Sequence, residues 1–255
     1  MVAEMSRRVR CGEDSSVLEK AFCVLDALSL AAGPQSMSQL SIATGIPRST
    51  VHRLIQQMVE LGVLTQGPRG VRLGRALFEL GSQVPESRRI REMALPFMTD
   101  LYEVTHQTIH LGIREGVDIL LVEKIRGHGS LSFAAKVGRR LPLNCTSIGK
   151  VLLARENKDV IDNILGRPLR RLTKNSIVDP QALHRQLADV QTTGIAVDHG
   201  EAQDGLSCVA APVLRGARCV AALAISGPSD DLVIARTAPA VRTAALALSR
   251  FITNH

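Results

Sequence analysis

Apolar and polar side chains follow a helical spacing most clearly between residues 45 and 62. Pro47 suits the first position of a helix, where a backbone N–H is not needed, and Gly62 suits the residue that follows a helix. The apolar positions between them fall on one side of the helical period. The pattern therefore predicts a helix whose apolar face is formed by Val51, Leu54, Ile55, Met58, Val59 and Leu61.

The opposite face of this predicted helix carries hydrogen-bond donors and no acid. Just upstream, residues 38–45 predict a short helix closed by Gly45. Two helices joined by a tight turn with glycine form a helix-turn-helix, whose second helix places its N-terminal residues in the major groove. The alternatives are a face that is only solvated and, for Ser49 and Thr50, hydrogen bonds at the helix start. We predict DNA contacts from Arg48, Ser49, Thr50, His52 and Arg53.

A β-hairpin is predicted directly after this helix. Two short apolar segments, 63–66 and 71–73, flank the sequence Gly-Pro-Arg-Gly at 67–70, which is typical of a turn. A hairpin that follows a helix-turn-helix forms the wing of a winged helix. We predict that this wing carries Arg69 and Arg72 towards phosphates or the minor groove.

A first helix precedes the helix-turn-helix. Ser16 and Glu19 have the spacing of a capping box, and the helical pattern ends near Gly33. One apolar side of this helix is predicted from Val17, Leu18, Phe22, Leu25 and Leu28.

The remaining pattern predicts a connector and a second domain. A connecting helix at 74–83 is broken at 84–87, and a longer helix then runs from about Ser87 to Thr105, with Pro96 at a kink or a join. Strands are predicted at 108–114, 119–126 and 130–136, a loop at 138–146, helices at 147–154, 158–165 and 180–192, strands at 195–198, 208–214 and 219–226, and helical segments at 230–252. This order predicts an α+β fold with a central antiparallel sheet. The predicted boundaries are a flexible arm at 1–14, the winged helix-turn-helix at 15–74, a linker at 75–87 and the second domain at 88–255.

The distribution of charge supports a nucleic-acid interface. The chain of 255 residues has a net charge of +7, and residues 48–75 contain five arginines and a single acid, Glu60. Basic charge is therefore concentrated in the predicted recognition helix and wing. Aromatic residues are scarce, with five Phe, one Tyr and no Trp, which argues against the stacking platforms of single-strand binders.

Composition also indicates the compartment. The five cysteines form no C-x-x-C pair, a pattern that fits reduced thiols. The N-terminal residues carry charge without a following apolar run, and no apolar run approaches the roughly 18 residues of a membrane span. We expect no signal peptide, no membrane partner and a cytoplasmic location.

Enzyme motifs in the second domain are incomplete. The sequence Ser-Ile-Gly-Lys at 147–150 lacks two features of a phosphate loop, because Asn144 and Val151 stand where glycine and a hydroxyl residue are needed. No pair of metal ligands has a metal-site spacing. A thiol nucleophile set could be imitated only by Cys145 or Cys208 with Asp198 and His199. We predict no enzymatic activity, no cofactor and no metal.

A binding site is predicted where the helix at 147–154 begins. The preceding loop supplies the hydroxyl groups of Thr146 and Ser147. A helix N-terminus has free N–H groups and a partial positive charge that favour an anion. The apolar strand residues around it are those that a small-ligand pocket needs.

Five segments in one order resemble the IclR family of bacterial transcriptional regulators: IPRSTVHRL at 46–54, LPLNCTSIGKVLLA at 141–154, GIAVD at 194–198 followed by Glu201, GLSCVAAPV at 205–213 and AISGP at 224–228. The resemblance covers about residues 14–252. It implies a GAF-like effector domain, a cytoplasmic location, and a homodimer or a dimer of dimers on a palindromic operator in double-stranded DNA. Members of the family repress, activate or do both.

The resemblance also implies a set of effector-binding positions. They are Phe133, Leu141, Ser147, Ile148, Asp198, Leu206, Cys208, Ala224 and Ser226. Ile148 stands where members that bind small 2-oxo acids have a small residue, and Ala224 where they have a serine. We therefore expect a narrower pocket with fewer donors, and an effector that is a small organic acid or aromatic compound rather than glyoxylate or pyruvate. Asp198 has two interpretations, ligand contact or structural hydrogen bond, whereas Gly149 and Lys150 are expected to set a tight turn and a surface charge.

Three hypotheses for function follow. The first is a sequence-specific DNA-binding regulator, repressor or activator, that a small-molecule effector controls. The second is a regulator whose second domain only oligomerises. The third is a Cys-dependent enzyme with a DNA-binding appendage. We predict the first.

Overall fold

The computed structural model describes residue 11, residues 14–127 and residues 136–254, without the side chains of residues 86 and 87. The chain divides into two compact units between Arg88 and Arg89. The predicted arm at 1–14 and strand at 130–136 lie almost entirely outside the described residues, as does Phe133. None of the described helices combines the length and the apolar content that crossing a bilayer requires.

The first unit is a winged helix-turn-helix, as predicted. Its elements are α1 (Val17–Leu30), α2 (Met37–Thr44), α3 (Arg48–Glu60), β1 (Leu64–Gly67), β2 (Gly70–Leu73) and α4 (Arg75–Gly81). The Ser16 hydroxyl accepts the Glu19 N–H at 3.2 Å, and the Glu19 carboxylate accepts the Ser16 N–H at 2.7 Å. This reciprocal capping fixes the start of α1. Gly45, with φ of 71°, ends α2 in the left-handed conformation.

Two details of the first unit differ from the predictions. Pro47 is not the first helical residue, because its ψ of 140° is extended and α3 begins at Arg48. On α1, Val17 and Leu18 are 61% and 67% exposed, and the buried stripe is Cys23, Val24 and Leu28. Cys23, Val24 and Leu28 share one apolar core with Leu40 of α2 and Val71 of β2.

The thiols also differ from the prediction that all five are reduced. Cys11 and Cys23 form a disulfide, whereas Cys145, Cys208 and Cys219 are free. The spacing of Cys11 and Cys23 matches no disulfide motif, so the sequence alone could not pair them.

The wing is anchored to the segment before α2. β1 and β2 pair antiparallel from Leu64↔Leu73 to Gly67↔Gly70, and Gln35 exchanges backbone hydrogen bonds of 2.9 and 2.8 Å with Val71. Gly70 has φ of 119°, and a Cβ there would lie 2.6 Å from the Gln35 carbonyl oxygen. Only glycine fits this close approach.

The second unit is an α+β fold with a central antiparallel sheet, as predicted. Its elements are α5 (Pro85–Thr105, which begins in the first unit), β3 (Thr108–Glu115), β4 (Asp118–Ile125), β5 (Arg140–Pro142), α6 (Ser147–Ala154), α7 (Lys158–Leu165), α8 (Pro180–Thr193), β6 (Ala196–His199), β7 (Leu206–Arg215), β8 (Arg218–Pro228) and α9 (Ile234–Asn254). The strand order is β5-β4-β3-β8-β7-β6, and all neighbours are antiparallel. The predicted loop at 138–146 contains β5, which pairs with the edge of β4. Pro96 lies inside the continuous helix α5.

The alternation of side chains along the strands separates two faces of the sheet. Ile109, Leu111 and Leu223 join the apolar core formed with α5 and α9. The intervening residues, such as His110 and Gly112, face the other side, where α6 packs on the sheet and α8 packs on α6. This second face contains the pocket.

Candidate functional site

The first candidate site is the exposed face of α3. Val51, Leu54 and Ile55 are buried in the core of the first unit, which fixes the rotation of the helix. The predicted contact residues Arg48, Ser49, His52 and Arg53 are exposed, and Thr50 is half-buried. Pro47 provides no side-chain cap, so the N–H groups of the first turn can donate hydrogen bonds to an anion.

The wing adds two exposed cations to the same unit. Arg69 lies in the turn between β1 and β2, and Arg72 lies on β2. Among the described residues, no acid forms an ion pair with Arg48, Arg53, Arg69 or Arg72. Their charges are therefore available for phosphates, and contact with DNA through these residues stays a prediction.

The second candidate site is a narrow pocket between the sheet and the first turn of α6, with a cavity volume of about 20 Å³, so a ligand larger than a water molecule must displace lining side chains. Its lining is His110, Ile119, Leu121, Leu141, Thr146, Ser147, Ile148, Asp198, Ala202, Cys208 and Ala224. The structure thus brings together six of the predicted effector positions. Ser226 contacts the pocket through His110, while Leu206 is buried on β7 outside the lining.

Sequence reasoning missed the contributions of β3 and β4 to this pocket. Ile119 and Leu121 alternate along β4, a signal that the sequence contained. His110 is an isolated polar residue within an apolar strand, and its position in the pocket depends on pairing with β8. Ala202 completes the residues that were missed, whereas Thr146 is part of the loop predicted before α6.

The start of α6 is held tightly at the pocket. The Thr146 hydroxyl donates to the Pro142 carbonyl at 2.9 Å and accepts the Gly149 N–H at 3.1 Å. A Cβ on Gly149 would lie 2.3 Å from the Leu143 carbonyl oxygen, so glycine is required here. Ser147 and Ile148 therefore bring the positive end of the helix dipole to the pocket wall.

Ile148 narrows the pocket over β3. A Cβ on Gly112 would lie 2.8 Å from Cγ2 of Ile148, so the glycine makes room for the larger side chain. That this pocket is narrower than in members that bind small 2-oxo acids stays a prediction.

A buried ion pair lies behind the pocket. Lys150 is 0% exposed, and its Nζ donates to Glu201 Oε1 at 2.6 Å, Gln186 Oε1 at 2.8 Å and the Val197 carbonyl at 2.7 Å. The expectation of a surface charge at Lys150 was wrong, because these acceptors lie on α8, on β6 and in the segment after β6. Glu201 Oε2 is buried and has no hydrogen-bond partner among the described residues.

Asp198 has both of its predicted roles available. It lines the pocket, and its Oδ1 accepts the Glu201 N–H at 2.6 Å. Burial, with a smaller contribution from the Glu201 charge, raises the pKa of Asp198 to about 7, although the Glu201 N–H and Lys150 oppose the shift. The carboxyl can therefore take up or release a proton near neutral pH.

His110 and Cys208 in the pocket, and the buried Cys145 of the loop before α6, are held neutral. Burial lowers the pKa of His110 to about 3, raises the pKa of Cys208 well above its ordinary value, and raises the pKa of Cys145 to about 12. A nucleophilic cysteine needs a lowered pKa, so neither thiol has the properties of one. His199 is exposed at the end of β6.

An exposed cationic helix-turn-helix in one unit, and an apolar pocket with buried polar groups in the other, define a DNA-binding regulator with a ligand-sensing domain. Two family models match the chain: the IclR helix-turn-helix domain over residues 17–68 and the bacterial transcriptional regulator IclR C-terminal domain over residues 82–250. The chain belongs to the IclR family of bacterial transcriptional regulators. The resemblance in the sequence is thereby confirmed.

Relatives and solved structures agree with this assignment. The chain is 34% identical to the HTH-type transcriptional regulator XynR of Escherichia coli (strain K12), over 91% of this chain and 95% of XynR. It is 36% identical to the HTH-type transcriptional regulator KdgR of the same organism, over 84% of this chain and 82% of KdgR. An IclR homolog from Microbacterium hydrocarbonoxydans, solved with 4-hydroxybenzoate, has a TM-score of 0.84 at 29% identity, over 94% of this chain and all of that one. These relatives are regulators, not enzymes, and the chain is a DNA-binding transcriptional regulator.

Proposed function

We propose that this chain binds a palindromic operator as a homodimer or a dimer of dimers in the bacterial cytoplasm, and that a small organic acid with an apolar or aromatic body controls the binding. The observation that carries the ligand class is the composition of the pocket. Ile119, Leu121 and Leu141 supply apolar walls, while the start of α6 supplies N–H groups for an anionic end. The 4-hydroxybenzoate bound to the Microbacterium relative supports the same class of ligand.

The proposed DNA contacts use both parts of the winged helix. Arg48, Ser49, Thr50, His52 and Arg53 approach the bases from the N-terminal half of α3, and Arg69 and Arg72 hold phosphates from the wing. In a dimer the two α3 helices would enter successive major grooves about 34 Å apart. The effector would act by binding more tightly to one arrangement of the dimer than to the other.

The test measures binding of the full-length protein to DNA upstream of its own gene, at several salt concentrations and with random DNA as competitor. We expect tight, salt-sensitive binding, a protected palindrome, and a change of about 5- to 150-fold in operator affinity with 4-hydroxybenzoate or a related acid. Sedimentation of the protein–DNA complex reports the number of chains. Weak binding that is equal for every DNA, with and without these acids, would contradict the proposal.

A further inference from the structure

His110 is the largest polar side chain among the described residues that line the pocket. It lies on β3, is buried, and has its Nε2 2.8 Å from Oγ of Ser226 on β8. Its neighbours on the same face of the sheet, Gly112 and Ala224, are small. The imidazole is therefore the main polar feature of this part of the pocket.

His110 is well separated from the acidic end of the pocket. Asp198 on β6 pairs with Cys208 on β7, which pairs with Ser226 on β8, and Ser226 contacts His110 on β3. At about 4.8 Å between adjacent strands, Asp198 and His110 have backbones on the order of 14 Å apart. Polar groups thus lie towards the two sides of the pocket, and a ligand with an apolar body between two polar ends could reach both.

The chemistry of His110 restricts what it can bind. Because burial lowers the pKa of the imidazole to about 3, the ring is neutral at physiological pH. A neutral imidazole offers one donor and one acceptor, and here Nε2 is engaged with Ser226. A cationic substituent brought to this position would lose its hydration and be repelled by Lys124, which pairs with His110 from β4, whereas an uncharged hydroxyl could be satisfied by the His110–Ser226 pair.

We propose that His110, positioned by Ser226, determines effector specificity by hydrogen-bonding an uncharged polar substituent, such as a hydroxyl group, on an apolar or aromatic acid. The inference rests on the proposed function, which places the acid group near the start of α6. Ile119 and Leu121 contact the body of the ligand from β4. His110 then discriminates between acids of similar size and equal charge that differ only in the uncharged substituent far from the acid group.

The test compares benzoate with 2-, 3- and 4-hydroxybenzoate by calorimetric titration of the full-length protein. We expect at least one hydroxybenzoate to bind the wild type about tenfold tighter than benzoate, since one added hydrogen bond to a buried polar group contributes about this much. In His110→Phe that preference should fall below about threefold, while benzoate affinity changes by less than about threefold.

Two further variants separate recognition from folding. His110→Gln keeps an uncharged donor and acceptor, so it should retain a preference of at least about threefold. His184→Phe makes the same exchange at an exposed position of α8 and should leave every affinity unchanged. If His110→Phe fails to fold, Ser226→Ala, which frees the imidazole from its partner, must change the order of preference among the four acids.

The outcomes distinguish the inference from the function on which it rests. A wild-type preference that survives in His110→Phe, or an order that Ser226→Ala leaves unchanged, would overturn the role of His110 alone. A wild type that binds benzoate and its hydroxylated forms equally would do the same. Absence of binding by all four acids would overturn the proposed ligand class, and the role of His110 with it.

Discussion

The Lys150 ammonium lies 2.6 Å from the Glu201 carboxylate, and Lys150 is wholly buried. Lys150 comes from α6, which forms the pocket wall, and Glu201 comes from the segment that follows β6 and Asp198. The pair therefore joins the two elements that carry the helix start and the acidic side chain of the pocket. A ligand that moved either element would act on the other through this ion pair.

Removing one member of this pair should be strongly destabilising. Lys150→Met leaves the Glu201 charge buried without its partner, and we expect a loss of about 3–5 kcal/mol in the free energy of unfolding. The double variant Lys150→Met/Glu201→Leu should lose less than Lys150→Met alone, because no charge then remains buried.

Tyrosine fluorescence during urea unfolding measures this effect. The chain has one tyrosine and no tryptophan, and Tyr102 lies on α5 within the second unit. Lys158→Met, at an exposed position of α7, is the matched control and should change stability by less than about 0.5 kcal/mol. Equal losses in Lys150→Met and the control would show that the pair contributes nothing.

Asp198 should make the second unit less stable as the pH rises. Its pKa is about 7 in the folded protein, against an ordinary value of 3.8. Between these values the folded state holds a proton that the unfolded state has released, so the free energy of unfolding falls by up to about 4 kcal/mol from pH 4 to pH 7. Asp198→Asn removes this dependence and should gain stability relative to the wild type across that range.

Comparing the free energy of unfolding of Asp198→Asn with that of the wild type at each pH separates the contribution of Asp198 from that of His110. His110 has a lowered pKa and acts in the opposite direction, since its contribution is lost as the pH falls through the range below 6.5. Asp189→Asn, at an exposed position of α8, controls for the loss of one charge. A stability difference between Asp198→Asn and the wild type that does not change with pH would contradict the raised pKa.

Local signals predicted the elements of this fold well. The bounds of α6 and α7 match the predicted helices at 147–154 and 158–165, because Thr146 and Asn157 cap their first turns. The three-residue strand β5 was missed within a segment that reads as a loop, since its only strand signal is pairing with β4. Caps and turns are encoded locally, whereas a short edge strand depends on its neighbour.

The features that could not be predicted from the sequence depend on contacts between residues far apart in the chain. Lys150 is 51 positions from Glu201, and His110 is 116 positions from Ser226. The sequence alone could not assign the burial or the role of Lys150 and His110, because both depend on partners that only the folded sheet and α6 bring close. The same holds for α1, where the predicted apolar side contained Leu28 but packing also buries Cys23 and Val24 instead of Val17 and Leu18.

Replacement of Arg53 should weaken and relax operator recognition. If Arg53 contacts a base, Arg53→Ala should reduce the free energy of operator binding by about 1–3 kcal/mol. The variant should also bind operators with a substitution at one base position nearly as well as the original operator. Arg69→Ala, in the wing, should instead lower the affinity for all DNA sequences by the same factor. It should also reduce the slope of log affinity against log salt concentration by about one. Fluorescence anisotropy with operator variants at several salt concentrations measures both effects. Arg185→Ala, exposed on α8, is the control, and an Arg53→Ala affinity equal to that of this control would exclude Arg53 from the interface.

Widening the pocket at Ile148 should change the ligands that it accepts. Ile148→Ala removes the side chain that packs on Gly112, and Ala224→Ser adds a hydroxyl beside His110 on the pocket floor. Together they widen the pocket and add a donor, the pattern that the family resemblance implies for binding small 2-oxo acids, and we expect glyoxylate or pyruvate to bind the double variant at least about tenfold tighter than the wild type. Calorimetry on the full-length protein measures the change, and Ile234→Ala, away from the pocket, controls for the loss of apolar volume. Glyoxylate and pyruvate affinities that stay at the wild-type level would mean that Ile148 and Ala224 do not set the size and polarity of the ligand.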